Sequence, residues 1–323
     1  MKIIWNLTRV CTWNCLICCV SAVHINNSQK RIANDLIANH TIEMTLGEKK
    51  KIVNELYEFG VDSIDFSGGD ILISYDNIEL IKYAATIFGK ENLSISIPGT
   101  RLRKKIIQEL KECVSKFEFT LDSLDDESDG SRPHAYSLVA QKAIELCCFE
   151  GVDTSVSTIL KRGNCTIKNI DQIHNYLLKN NVKEWEILPY YTVGRGSSIY
   201  GIIPSKECFE QVINHIEKLI NTSKIHISFQ HKIVNYKAKC VKCNAVSHSV
   251  GVLPDGTVNA CAWALNCEGA PLSDEFNLGN LRDNSIKEIL TSEKAREWVK
   301  RSDVCMVDKS KKYDKYNIGL MYY

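Results

Sequence analysis

Six short apolar segments alternate with helix-like segments along the first part of the chain, and no other feature limits the fold as strongly. The segments lie at 3–7, 62–67, 93–97, 117–121, 153–160 and 184–188. Between the first two, "TLGEKKKIVNELYEFG" reads as a helix with its own punctuation. Thr45 and Glu48 form a capping box, and Gly60 stands at the C′ position. The intervals "NIELIKYAATIFG", "RLRKKIIQELKECV", "YSLVAQKAIELCCFEG" and "NIDQIHNYLLKNN" carry helical periodicity. Alternating β and α units imply parallel pairing with right-handed crossovers. The expected fold class is α/β, either an open doubly wound sheet or a partial barrel. Both place chemistry at the C-terminal ends of the strands.

After residue 190 the pattern changes. "YYTVGRGSSIYG" reads as a linker, followed by a helix over 204–221 and a strand near 224–229. "HSVGVL", the turn "PDG" and "TVNAC" then make a hairpin. "SIKEILTSEKAREWVKR" is expected to be one last helix. The expected division is 1–200 for the β/α unit and 201–323 for the remainder. A formal net charge of +1 gives no basic field for nucleic acid. No run of about 18 apolar residues is present, so no membrane span is expected. The start "MKIIWNLTRVC" lacks an apolar h-region, which points to the cytoplasm.

The chain has 14 cysteines. Cys113, Cys147, Cys148, Cys165 and Cys208 sit in helix-like stretches and read as small apolar filler. Two other groups do not. Cys11, Cys15 and Cys18 have the spacing C-x3-C-x2-C in a loop just after the first strand. Three thiolates so placed can hold three irons of a cubane and leave the fourth iron open. A structural zinc ion would want a fourth ligand. Cys19 is adjacent, but consecutive side chains point apart, and His24 is remote.

This loop resembles the signature of the radical S-adenosylmethionine (SAM) superfamily. The resemblance implies a partial (β/α)6 barrel with a SAM-binding [4Fe-4S] cluster on Cys11, Cys15 and Cys18. In that family SAM chelates the open iron, and one electron cleaves it to a 5′-deoxyadenosyl radical that abstracts a substrate hydrogen. "DFSGGD" resembles the family's glycine-glycine-acid motif, with Gly68 and Gly69 offering backbone groups to the amino end of SAM. Asp70 stands where the family usually has Glu. Ser96 after strand three, Asp122 after strand four, Ser157 in strand five and Leu188 at the end of strand six are the further implied SAM contacts. Ile17 departs from the aromatic residue that commonly precedes the last cluster cysteine; Trp13 could shield the cluster instead.

Cys240, Cys243, Cys261, Cys267 and Cys305 form the second group. Cys243 precedes the hairpin and Cys261 ends it, so their sulfurs can meet at its open end. The segment from 240 to 305 resembles the SPASM or twitch domains of radical SAM enzymes, which hold auxiliary iron–sulfur clusters. No cysteine-dense run follows Cys305, so one auxiliary [4Fe-4S] cluster is expected. Its fourth ligand stays open between Cys240, Cys267 and a vacant iron, and a zinc knuckle is the alternative.

The resemblance implies an oxidoreductase-like radical enzyme acting on a ribosomally made peptide, by cross-linking or epimerisation. The alternatives are oxidation or rearrangement of a small polyol or aminosugar, and a non-enzymatic iron–sulfur or zinc scaffold. Implied partners are the peptide or small-molecule substrate and a flavodoxin- or ferredoxin-type electron donor. The first strand begins at residue 3, so a separate peptide-recognition protein is expected for a peptide substrate. Tyr190, Tyr191 and Arg195 are expected to line the substrate mouth.

Overall fold

The computed structural model describes residues 1–25, 43–125, 130–238, 243–301, 305 and 307. All six expected strands form: β1 (Lys2–Asn6), β4 (Ser63–Ser67), β5 (Leu93–Ser96), β6 (Lys116–Thr120), β7 (Thr154–Leu160) and β8 (Glu184–Pro189). Each pairs in parallel with the next. Helices α1 (Leu46–Phe59), α2 (Tyr75–Phe88), α3 (Lys104–Leu110), α4 (Tyr136–Phe149) and α5 (Ile167–Lys179) make the crossovers. The result is a partial TIM-like barrel. The capping box of Thr45 with Glu48 is present at the start of α1, and Gly60 closes its end in the left-handed conformation.

Two strands too short to predict from sequence, β2 (Val10–Cys11) and β3 (Val23–His24), pair in parallel as Val10 with Val23 and Cys11 with His24. This pairing closes the base of the cysteine loop, so the loop's ends are fixed by backbone hydrogen bonds.

The sheet does not end with the sixth barrel strand. It has ten strands in the order β12-β11-β10-β1-β4-β5-β6-β7-β8-β9. Strand β9 (His226–Phe229) follows α6 (Lys206–Ile220) and adds in parallel to β8; α7 (His231–Ala238) follows directly. The expected hairpin forms as β10 (Ser249–Val252) and β11 (Thr257–Asn259), and β12 (Asn277–Asn280) extends it. Its first strand lies in register beside β1, Ile3 opposite Val250 and Trp5 opposite Val252. The C-terminal region therefore continues the barrel's own sheet.

Two local expectations need correction. The last helix is two helices, α8 (Ile286–Thr291) and α9 (Glu293–Lys300). Ser292 between them is extended, with ψ of 159°, and its side chain accepts a hydrogen bond from Ala295 N, starting a new helix instead of continuing the old one. The segment read as a linker contains a 3-10 turn, Gly194–Ser198, packed against the cysteine loop.

Strand side chains alternate between two environments. Ile3, Trp5, Ile64, Phe66, Phe117 and Trp185 are fully buried under the helices. Their neighbours Lys2, Ile4, Asn6, Asp65, Glu118 and Glu186 face the barrel interior. Trp5 packs on Phe66 with ring centroids 6.0 Å apart. Replacing Trp5 by Ala is expected to cost about 3–5 kcal/mol. Urea unfolding of the full chain measures this; a loss below about 1 kcal/mol would contradict the packing described.

Candidate active site

A cavity of about 490 Å³ opens at the C-terminal ends of the barrel strands, where β/α architecture puts its chemistry. Cys11, Cys15, Cys18 and Cys19 all reach its wall. Cys11 and Cys15 are buried, and burial pushes both thiols up. Cys19 is pushed up to about 12 by burial and by the neighbouring Cys18. Isolated thiolates are therefore disfavoured here, and donors are in place to offset that. Trp13 N–H donates to Cys11 Sγ at 3.4 Å, and Ala22 N–H donates to Cys18 Sγ at 3.3 Å. The Arg132 guanidinium hydrogen-bonds Cys15. N–H groups aimed at cysteine sulfurs are surroundings that tune iron–sulfur ligands.

The loop is held from outside by two segments distant in sequence. Arg195 donates from Nη1 to Cys15 O at 2.7 Å and from Nη2 to Ala22 O, while its own N–H reaches Cys18 O at 2.9 Å. Arg195 thus braces the cysteine loop and is not part of the mouth. Gly194 lies so close to the Cys18 and Cys19 carbonyls that any Cβ would overlap them, and its φ is +57°. Gly194 N–H donates to Leu265 O at 2.7 Å, and Ser21 Oγ donates to Asn266 O at 3.1 Å. The residues after Cys261 therefore support the first cysteine loop as well.

Gly68 and Gly69 line the cavity, and their packing explains their identity. A Cβ on Gly68 would stand 2.5 Å from Thr8 O, and one on Gly69 would overlap Val10 O. Gly69 N–H donates to Thr8 O and Asp70 N–H to Val10 O, both at 2.8 Å. Those amides are engaged with the residues leading into the cysteine loop. Asp70 is fully buried and set back from the cavity wall. Its Oδ1 accepts from Leu72 N at 3.2 Å, and its Oδ2 has no partner. Burial pushes this carboxyl up to about 6. An orphaned buried acceptor beside Cys11 suits a site that receives a donor group.

Ser96, Ser157 and Leu188 also lie on the wall. Asp122 does not. It is buried at 1% exposure, bonded to Arg132 Nε at 2.8 Å and Lys161 Nζ at 3.2 Å, and accepts from Ile159 N at 2.8 Å. Despite burial, Arg132 and Lys161 hold its carboxyl below the usual range. Its oxygens orient Arg132, whose guanidinium lies 4.7 Å over the Tyr136 ring and reaches the cavity. Sequence reasoning missed Arg132, Asp65, Glu118 and Glu186. The last three stand at alternate positions of strands two, four and six, a period-two signal that could have placed them inside the barrel.

Cys243, Cys261 and Cys305 come together: the other two act electrostatically on Cys261, whose thiol burial pushes up to about 12. Among the described residues, no three His, Cys, Asp or Glu side chains converge on a single metal ion. Cys267 is exposed. Cys240 lies outside the described residues. Directly after Cys261, Ala262 and Trp263 reach the cavity wall. Trp263 stacks on Tyr191, centroids 6.3 Å apart and planes 7° from parallel, and Lys232 Nζ sits 4.9 Å from the Tyr191 ring. Tyr190 and Tyr191 line the mouth as expected from their position after β8.

The Radical SAM superfamily profile matches residues 5–194, more than half of the chain. The chain belongs to the radical SAM superfamily. A second profile, SPASM, an iron–sulfur cluster-binding domain, matches residues 240–316. Radical SAM membership brings a [4Fe-4S] cluster and SAM, and the SPASM match brings auxiliary iron–sulfur binding. The chain is 24% identical over 310 residues to the Fe-coproporphyrin III synthase of Methanosarcina barkeri, covering 90% of this chain and 73% of that one. It is 25% identical over 279 residues to the subtilosin biosynthesis protein AlbA of Bacillus subtilis, covering 82% of this chain but 58% of AlbA. The fold matches that of Streptococcus suis SuiB bound to its precursor peptide SuiA, with TM-score 0.70, 11% identity, and coverage of 92% of this chain and 66% of SuiB.

Anaerobic iron and sulfide analysis of this radical SAM protein is expected to give about eight irons for two cubanes. Changing Cys11, Cys15 and Cys18 together to Ala should leave about four. Arg195→Ala keeps all the sulfurs but frees the loop, so iron should be lost faster to a chelator. Unchanged chelation kinetics would show that the brace is dispensable.

Proposed function

We propose that this radical SAM enzyme modifies a peptide, with SAM held at the inner end of the cavity and the substrate entering past Tyr191 and Trp263. When bound, the cluster on Cys11, Cys15 and Cys18 supplies the electron that cleaves SAM and starts hydrogen abstraction. The chain's own residues bind and orient. Gly68 and Gly69 line the cavity, and their backbone carbonyls would suit the SAM ammonium. Arg132, fixed by Asp122, suits its carboxylate, because a guanidinium binds carboxylates bidentately. Ser96 and Ser157, whose hydroxyls donate to Asp65 and Glu118, keep oxygen lone pairs that suit the ribose hydroxyls, and the backbone at Leu188 meets the adenine. Asp122 serves by positioning Arg132. Cys243, Cys261 and Cys305, with Cys240 or Cys267, are proposed for the auxiliary cluster.

The observation that carries the substrate reading is the wall shared by the two cysteine regions. Trp263, two residues after Cys261, stacks on Tyr191 at the mouth. A substrate there lies against both the barrel and the auxiliary region, which suits an extended chain. Kinship with AlbA, a bacteriocin biosynthesis protein, supports the same reading. The carboxylates and serine hydroxyls deeper in the barrel favour a second reading, a small polyol or aminosugar. We place the boundary of the barrel unit at residue 200 and infer a flavodoxin- or ferredoxin-type donor, with a separate recognition protein for the peptide. Among the described residues no helix is long and apolar enough to cross a membrane; we propose a cytoplasmic location.

Incubating reconstituted protein with SAM, dithionite and any short peptide encoded beside its gene tests this. Deoxyadenosine should form, and one peptide should change mass. Deoxyadenosine with no altered peptide, but with an altered aminosugar, would favour the second reading; no deoxyadenosine would sink both. Arg132→Ala should raise the KM for SAM about ten- to a hundredfold, as loss of a charged hydrogen bond does. Asp122→Asn should raise it less, and both variants should retain iron.

A further inference from the structure

Three carboxylates inside the barrel have no part in the binding scheme above. Asp65 on β4, Glu118 on β6 and Glu186 on β8 all face the cavity. Hydroxyls on the intervening strands join the first two. Ser94 Oγ on β5 donates to Asp65 Oδ1 at 2.9 Å, and Ser96 Oγ contacts both Asp65 oxygens at 3.3 Å. Ser96 Oγ also lies 3.5 Å from Glu118 Oε1. From β7, Ser157 Oγ donates to Glu118 Oε1 at 3.1 Å and Ser155 Oγ approaches Oε2 at 3.5 Å.

This chain of hydrogen bonds has two different ends. Ser96, Glu118 and Ser157 border the ligand cavity. Ser94 borders a second cavity, of about 370 Å³, at the N-terminal ends of the strands, where Lys116, Lys183 and Glu184 also stand. Lys2 of β1 borders both cavities. A continuous line of carboxylate and hydroxyl oxygens thus runs from one mouth of the barrel to the other.

We propose that Glu118 accepts protons at Oε1 from the ligand cavity, and that Ser96, Asp65 and Ser94 pass them to the lower mouth. The proposal rests on the reading that SAM and substrate fill the upper cavity. When a substrate C–H bond is oxidised by two electrons, the hydrogen atom leaves with the deoxyadenosyl group, the remaining electron passes to the auxiliary iron–sulfur cluster, and the remaining proton needs a base inside the filled cavity. The electrostatics of Glu118 suit the task. Enclosure in the barrel pushes its carboxyl up to about 7, Asp65 and Glu186 add to the rise, and Lys2 and Lys116 oppose it. A group near 7 both takes and gives protons at neutral pH.

Infrared difference spectra of the reconstituted full chain, titrated through neutrality without turnover, test the acceptor. Wild type should show a buried neutral-carboxyl band that disappears near pH 7, and Glu118→Gln should lack it while the separate component from Asp70, lost near pH 6, remains. Persistence of the band in the variant, or its absence from wild type on the acid side, overturns the assignment. Deuterium exchange of the same band tests the route. With SAM bound, exchange should remain fast in wild type and become slow in Ser94→Ala; equal rates in the two proteins overturn the relay. Circular dichroism confirms that both variants fold. These readouts need no product, so they fail separately from the peptide reading, which stands or falls on the altered peptide.

Discussion

The site depends first on the bracing of a loop that cannot brace itself. Residues 12 to 22 contain two of the three cluster cysteines, Cys15 and Cys18, and no regular structure; Cys11 stands on the β2–β3 pair at their base. Arg195 compensates by taking three of the loop's carbonyls with one residue. Its partners are main-chain oxygens, so the hold does not depend on which side chains the loop carries. Gly194 makes the approach possible, and Leu265 and Asn266 secure the brace from the C-terminal region. The presentation of three sulfurs to one cavity is thus a tertiary effect assembled from three distant stretches.

A second layer of the same logic holds the ligand wall. The glycine pair is tight against Thr8 and Val10, so the end of β4 and the entry to the cysteine loop move as one. Across the barrel, Asp122 is a buried carboxylate with two cationic partners, Arg132 and Lys161. Removing one partner of such a group leaves an uncompensated buried charge. That asymmetry keeps Arg132 facing the cavity instead of solvent.

The six barrel strands were legible because each is short, apolar on its helix-facing side and followed by helical periodicity. The cysteine triplet was legible from spacing alone, and the hairpin from its turn residues. The pairing of β10 with β1 was not, because register between strands more than 200 residues apart leaves no local trace. Asp65, Glu118 and Glu186 were hidden in strands read as buried, where period-two polar positions were taken with the apolar ones. Asp122 looked like a wall residue by its place after β6; the cations that claim it come from Arg132 and from the end of β7, which no local pattern connects. Arg195 looked like a linker residue because its partners are main-chain atoms, invisible in side-chain patterns. Ser292 was lost inside a continuous helical pattern, although a serine before an acidic residue is a helix start.

The uninterrupted sheet sets a gauge. Strands β1 and β11 are separated only by β10, which at the usual strand spacing is about 10 Å. One leads into the first cysteine loop, and the other ends two residues before Cys261. Since β11 runs opposite to β1, ladder geometry fixes the lateral spacing of the strands that feed the two sulfur nests, and no hinge between these strands can widen it without tearing the sheet.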